Sequence, residues 1–270
     1  MNDDLMREKL LRLKDMMREY RRVAVAFSGG VDSTFLLKVA VEELGDNAVA
    51  ITSESILSAT GEISNAKALA ASIGAKHIII NQSPLSNKRF AANPPNRCYF
   101  CKLEIFGRMI EEAGKLNIRH VLEGTNKDDE DDFRPGSIAV AELGVLCPLR
   151  EAGLRKHEIR MLSAEYGLST WDKPSLACLA SRIPYGSEIT PDKLEMVDKA
   201  EDYLRRCGFS RSQIRVRHHD DVARIELDAD GFRRLFESDI NEVIYDEFRR
   251  IGFKYVSVDL RGYRTGSLNE

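Results

Sequence analysis

The sequence predicts an α/β protein: a parallel sheet with helices on both faces, followed by a smaller α+β domain. Three observations carry that expectation. Short apolar runs alternate with helical patterns from Val23 to Glu123, a turn of small residues follows the first run, and the texture changes after Trp171, where prolines and small turn residues break the periodicity. Alternating strand and helix is the signature of right-handed crossovers, whose sheets are buried on both faces.

Met6, Leu10, Leu13, Met17 and Tyr20 recur at helical spacing, so the first twenty residues form an amphipathic packing helix. Val23 to Phe27 is a strand, Ser28 to Gly30 a turn, and Ser33 to Leu44 a helix ended by Gly45. Strands at Ala48–Thr52 and Lys76–Ile80 flank an Ala-rich helix at Gly61–Ile73. A long helix at Cys101–Leu116 then leads to a strand at His120–Glu123. Lys173 to Gly186 reads as a structured connection. A boundary near Thr190 divides the chain into domains 1–190 and 191–270. The second domain reads as helix (Asp192–Arg206), strands (Gln213–His218 and Val222–Leu227), helix (Gly231–Arg250) and strand (Lys254–Asp259).

With 43% hydrophobic and 31% charged residues, the composition excludes disorder as the dominant state. Met1 to Tyr20 is charged throughout, and no uncharged apolar run approaches the roughly 20 residues a membrane span needs. The expectation is a cytoplasmic protein without a membrane partner. A net charge of -3 supplies no broad footprint for nucleic acid, and the second domain carries 15 basic against 17 acidic residues. Five cysteines, an odd number without a secretion signal, suggest reduced thiols rather than a disulfide framework.

The most informative segment is Val23-Ala-Val-Ala-Phe-Ser-Gly-Gly-Val-Asp-Ser-Thr34, a buried strand feeding a loop and then a helix. Ser28, Gly29 and Gly30 are small enough for backbone N–H groups to converge on an anion where the helix dipole also points. The loop lacks the Lys of a Walker A sequence and the spacing of a dinucleotide fingerprint. A neutral nest suits pyrophosphate; gripping the β and γ phosphates leaves the α phosphate open to attack, which favours adenylation over γ-phosphoryl transfer. The competing reading is a plain helix cap with packing glycines.

Ser28-Gly-Gly-Val-Asp-Ser33 resembles the signature of the PP-loop ATP pyrophosphatases, which have an adenine nucleotide alpha hydrolase-like fold and adenylate their substrates. The resemblance implies ATP and Mg²⁺, with Asp32 orienting the metal and Ser33 capping the helix or touching phosphate. Glu123, ending another strand on the same sheet edge, is a candidate second metal or substrate contact. The acidic run Asp128 to Asp132 reads as a solvated face.

Cys98 and Cys101 form a CxxC immediately before a helical stretch, where thiolate and metal ligation are favoured. A thioredoxin-like redox pair and a zinc site remain alternatives. Cys178, in an irregular segment with polar and cationic neighbours, reads as a reactive or liganding thiol. Together the three suggest a 4Fe-4S cluster with one iron left open for an extra sulfide. Cys147 and Cys207 read as core thiols. Arg215 and Arg217 share one strand face and Arg224 lies on the next strand; they are either a solvated face or a phosphate site. His218 and His219 read equally as bases or strand-end polar residues. Asp259, Arg261 and Arg264 belong to an interface or the substrate site.

Lys173 to Gly186 (KPSLACLASRIPYG), Arg215 to Glu226 and the closing Gly252 to Glu270 together resemble the LarE family of ATP-dependent sulfur transferases over nearly the whole chain. That resemblance implies adenylation of pyridinium-3,5-biscarboxylic acid mononucleotide and its conversion to a thiocarboxylate for the nickel-pincer nucleotide. In the best-known form, the cysteine matching Cys178 gives up its own sulfur and becomes dehydroalanine. Cys98 and Cys101 set this sequence apart and resemble the three-cysteine type, which turns over with a sulfide donor. Lys156 and Arg182 are candidate clamps on phosphate and substrate charge. The expected partners are a small mononucleotide, a sulfide donor and further copies in a homo-oligomer. The rival readings are a tRNA thiolase, an ammonia-using synthetase and an ATP-sensing module.

Overall fold

β-Branched and small apolar residues at both even and odd positions of the first strands leave no face for water, so the sheet they build is sandwiched between helices. The computed structural model describes residues 2–131, 135–174, 177–210, 214–237 and 240–264. In chain order come α1 (Asn2–Tyr20), β1 (Val23–Ala26), α2 (Val31–Leu44), β2 (Ala48–Glu54), α3 (Glu62–Ile73), β3 (Lys76–Asn81) and α4 (Lys88–Ala91). Then follow α5 (Arg97–Lys115), β4 (His120–Leu122), α6 (Pro135–Glu142), α7 (Pro148–Glu151) and α8 (Lys156–Glu165). The remaining elements are α9 (Pro191–Arg206), β5 (Ile214–His219), β6 (Val222–Leu227), α10 (Ala229–Glu237), α11 (Ile240–Ile251) and β7 (Tyr255–Val258).

Two units form. The first comprises Met1–Ser55, Gly61–Pro84 and Asn96–Ser175, and the second Ile56–Thr60, Leu85–Pro95 and Leu176–Glu270. The expected line at residue 190 differs from this partition, in which the Cys178 segment goes with the second unit and the chain passes between units several times.

The first unit holds a parallel sheet in the order β3-β2-β1-β4. Val23, Val25, Phe27, Ala48 and Ala50 face a core shared with α1, α2 and α8, including Leu13, Met17, Phe35, Leu37 and Leu162. Ala24, Val49, Ile51 and Val121 face a second core with Phe106 and Met109 of α5. The expected architecture, an α/β sheet covered on both sides, is the one observed. Among the described residues no helix is long and apolar enough to cross a membrane.

The second unit carries a sheet in the order β5-β6-β7, with β5 and β6 antiparallel and β6 and β7 parallel. Leu204, Val216, Ile225, Phe248 and Phe253 build its core. The stretch expected as a helix at Gly231–Arg250 is helical on both sides of Ser238 and Asp239, which lie outside the described residues. One sequence expectation needs correction. Helix α5 begins at Arg97, not Cys101, so the CxxC lies within its first turns rather than before it.

Phe35 is fully buried and meets Tyr166 edge-on at 5.8 Å. Phe35→Ala is expected to lower unfolding free energy by about 3–5 kcal/mol, measured by urea denaturation.

Candidate active site

β1 ends at Ala26 in the middle of the sheet, and β4, its neighbour on one side, is reached only after the chain has built β2 and β3 on the other. The strand order therefore reverses between β1 and β4, the place where open α/β sheets bind ligands. The turn Phe27 to Gly30 leaves β1 here. Gly29 has φ +68°, a backbone that side chains other than glycine's rarely adopt. Gly30 occupies the N-cap of α2 and supplies no side-chain cap to its first turn. Within the turn, Ser28 N–H donates to Ser33 Oγ and Gly30 N–H to Ser28 Oγ, both at 3.3 Å. The two serine oxygens lie 3.1 Å apart. These bonds are long enough to be exchanged for a better acceptor.

The end of β4 presses on the same turn. A Cβ added at Gly124 would lie 3.0 Å from Ser33 N and 3.2 Å from Asp32 Cβ, so glycine lets the end of β4 approach the start of α2 without displacing it. This puts Asp32 and the following Glu123-Gly124-Thr125-Asn126 segment side by side. Asn126 Nδ2 reaches Asp32 Oδ1 at 3.4 Å.

Three lysines converge on this edge. Lys156, the first residue of α8, pairs with Asp32 at 2.5 Å. Its backbone N–H donates to Asp128 Oδ2 at 2.8 Å, and Asp128 also pairs with Arg155 at 2.6 Å. The N–H bond from Lys156, followed by the Arg155 contacts, outweighs partial burial and holds the Asp128 carboxyl below its usual range. Part of the acidic run thus anchors the start of α8. Lys173 donates to Gly29 O at 2.7 Å, and its own carbonyl accepts from Arg160 at 2.9 Å. Lys102 of α5 pairs with Glu123 at 2.9 Å. The buried Glu123 also accepts from Thr125 Oγ1 and faces Cys147 Sγ at 3.7 Å. Burial, then the Glu123 charge, pushes the Cys147 thiol up to about 12, the behaviour of a packed thiol rather than a nucleophile.

Cys98 and Cys101 stand one turn apart near the start of α5, the former exposed and the latter half-buried. Among the described residues, no three His, Cys, Asp or Glu side chains form a ready metal-binding group. The thiols fit a soft metal by chemistry, while Asp32 at the start of α2 and Glu123 just after β4, both hard oxygen donors, suit Mg²⁺.

In the second unit the exposed Cys178 directly precedes the short turn Leu179–Arg182. Leu179 N–H donates to Leu57 O at 3.0 Å. Arg182, 3% exposed, donates to the carbonyls of Ala177 (2.6 Å) and Cys178 (3.1 Å) while pairing with Glu201 at 2.9 Å. Arg217 pairs with fully buried Glu226 at 2.8 Å and donates to Ser181 O at 2.8 Å. Arg224 bridges Glu226 and Asp259 and donates to His219 Nε2 at 3.1 Å. Arg215 lies over the Tyr263 ring at 4.9 Å. Burial, then the neighbouring Arg182 charge, lowers the Arg215 pKa, against the opposing Glu201 charge. His218 is buried against Phe253, with its pKa lowered by burial and then Lys193. Arg182 and Arg217 thus share a buried network with the backbone around Cys178, Arg215 is buried beside Tyr263, and Arg224 is half-buried.

This geometry can be set beside known proteins. The family described as asparagine synthase matches residues 10–93, the stretch that contains β1, the turn and α2. The pyridinium-3,5-bisthiocarboxylic acid mononucleotide synthase of Lactiplantibacillus plantarum is 38% identical over 94% of this chain and 91% of its own length. The chain belongs to the LarE family. The uncharacterized protein slr1717 of Synechocystis is 42% identical over 98% of both chains. The uncharacterized protein MJ0830 of Methanocaldococcus jannaschii is 30% identical over 96% of this chain and 98% of its own. As a LarE family member, the chain is an ATP-using sulfur-transferase enzyme.

For this LarE protein, sequence reasoning missed Lys102, Lys173 and Gly124. The glycine of Glu123-Gly-Thr-Asn126 was the one available signal, since glycine at a strand end often marks close backbone approach. Gly124→Ala is expected to raise the KM for ATP at least about tenfold by displacing the Ser33 backbone, as misplacement by about 1 Å can cost a hundredfold; steady-state kinetics checks this.

Glu201 supplies a pH-dependent prediction. Burial opposes its ionisation, but Arg182, the Arg215 field and the Val216 N–H outweigh it, so its pKa falls below the ordinary 4.5. A depressed carboxyl stabilises the fold above its unfolded-state value, and that contribution fades as pH drops through the folded one. Glu201→Gln should cost about 3–5 kcal/mol near pH 7. The gap from the parent should narrow below pH 4.5 in denaturation series.

Proposed function

We propose that this enzyme adenylates a carboxylate of pyridinium-3,5-biscarboxylic acid mononucleotide and replaces the activated oxygen with sulfur, for nickel-pincer nucleotide synthesis. The observation that carries the reading is the Ser28–Ser33 turn, an anion nest at the sheet's reversal point with Lys156 and Lys173 resting on it. The name of the Lactiplantibacillus relative supports the substrate.

The β and γ phosphates of ATP enter the turn, where loop N–H groups and the α2 dipole meet them. Lys156 and Lys173 exchange Asp32 and the Gly29 carbonyl for phosphate oxygens, which concentrates positive charge as the leaving group becomes more negative. Asp32 and Glu123 would hold Mg²⁺, which when bound neutralises phosphate charge. A substrate carboxylate oxygen attacks the α phosphorus, the bond to the bridging oxygen breaks, and pyrophosphate departs. The acyl adenylate then meets hydrosulfide: a C–S bond forms, the C–O bond to AMP breaks with its electron pair, and a proton passes to solvent.

Cys98, Cys101 and Cys178 would hold a 4Fe-4S cluster, which when bound supplies an open iron for sulfide. Arg215, Arg217 and Arg224 take the mononucleotide phosphate, supported by their places on the paired strands β5 and β6. Arg182 fixes the backbone around Cys178 through the carbonyls of Ala177 and Cys178.

With acceptor, sulfide and Mg²⁺, the expected products are AMP and pyrophosphate in equal amounts; ADP as the sole nucleotide product, read by chromatography, overturns adenylation. Cys98→Ala and Cys101→Ala, purified anaerobically, should lose most bound iron and sulfide-dependent turnover. Parental iron content in both variants removes the cluster from the scheme.

A further inference from the structure

One polar chain reaches the phosphate-binding turn from the far side of the sheet, through residues outside every motif. Thr52, near the end of β2, is 4% exposed. Its Oγ1 lies 2.6 Å from Phe27 O and 2.7 Å from His77 Nε2. A carbonyl only accepts, so the single hydroxyl hydrogen of Thr52 goes to Phe27 O. The contact with His77 therefore requires a hydrogen on Nε2. His77 opposes Ala50 in the β2–β3 register, and its ring meets the Phe27 ring edge-on at 5.7 Å. The same peptide group that presents Phe27 O to Thr52 presents Ser28 N–H to Ser33 Oγ. Fixing the carbonyl fixes the direction of that N–H, because the peptide is planar. The bonds form one series from His77 through Thr52 and the Phe27–Ser28 peptide to Ser33.

Phe27 is where β1 leaves the sheet. Its N–H still donates to Ile51 O at 2.9 Å, but its carbonyl is received by a side chain. The turn's first amide would otherwise depend on the long 3.3 Å bond to Ser33, which a bound phosphate competes to replace.

We propose that Thr52, supported by His77, is a positioning residue for ATP: it locks the Phe27–Ser28 peptide so that the first N–H of the turn points at the pyrophosphate. This rests on the reading that ATP occupies the Ser28–Ser33 turn. The two residues touch no substrate and act through the backbone.

The test is steady-state kinetics and ATP·Mg²⁺ calorimetry on the full chain. Thr52→Val keeps the shape, removes both bonds and leaves a buried carbonyl without its donor. It is expected to raise the KM and Kd for ATP roughly tenfold, the lower end for a lost buried partner. The KM for the mononucleotide and kcat should change less than twofold. Thr52→Ser should restore ATP affinity. His77→Phe keeps the ring but not the donor, so it should weaken ATP binding by a smaller factor and add nothing in the Thr52→Val background. His77→Gln, which can offer an N–H near the same place, should resemble the parent.

ATP affinity within twofold of the parent in Thr52→Val overturns the proposal, as does a uniform loss of all kinetic parameters that follows the folded fraction. Should Thr52→Val fail to fold, unchanged ATP affinity in His77→Phe overturns it instead. Asp32→Ala separates this proposal from the reading beneath it. Weakened ATP binding in that variant with none in Thr52→Val sinks the positioning role alone; no weakening in either sinks the turn as the ATP site.

Discussion

A strand that stops in the middle of a parallel sheet leaves backbone groups its neighbours do not take up, and the first unit is organised around those at the end of β1. Three glycines make the arrangement sterically accessible: Gly29 by its positive φ, Gly30 by offering α2 no side-chain cap, and Gly124 by letting β4 end against Ser33 and Asp32. The helix behind the turn adds its dipole. In the proposed reading the backbone meets the anion, and side chains adjust the fit.

Those side chains arrive from distant parts of the chain. Lys156 rests on Asp32, Lys173 on the Gly29 carbonyl and Lys102 on Glu123. Two of these cations are held in place by backbone contacts as well: Asp128 receives the Lys156 N–H, and the Lys173 carbonyl accepts from Arg160. Partly buried charges without partners are costly, so such pairs keep a polar site in shape before its ligand enters. The second unit follows the same rule, with Glu201 and Glu226 compensating Arg182 and Arg217 beside the Cys178 turn.

Much of this was legible in the sequence, and the division follows physical range. The strand, turn and start of α2 are contiguous, so their residues announce the nest without help from elsewhere. Cys147 was legible as a packed thiol from its apolar neighbours, and it is 1% exposed. Arg215 and Arg217 were legible as sharing a face, because strand period alone decides that. Their burial was not, since Glu226 and the Ser181 carbonyl come from other elements. Lys173, Lys102 and Thr52 stayed hidden for the same reason, as each meets the site across a fold that no local pattern encodes.

The chain leaves the first unit after β2, returns before α3, leaves again after β3 and comes back before α5. No single cut can release the part bearing Cys178 intact, because it also needs residues 56–60 and 85–95. During synthesis the four strands of the parallel sheet emerge before residues 176–270, the last segment of the other unit. A fragment that starts at residue 176 therefore lacks two of the stretches this unit contains.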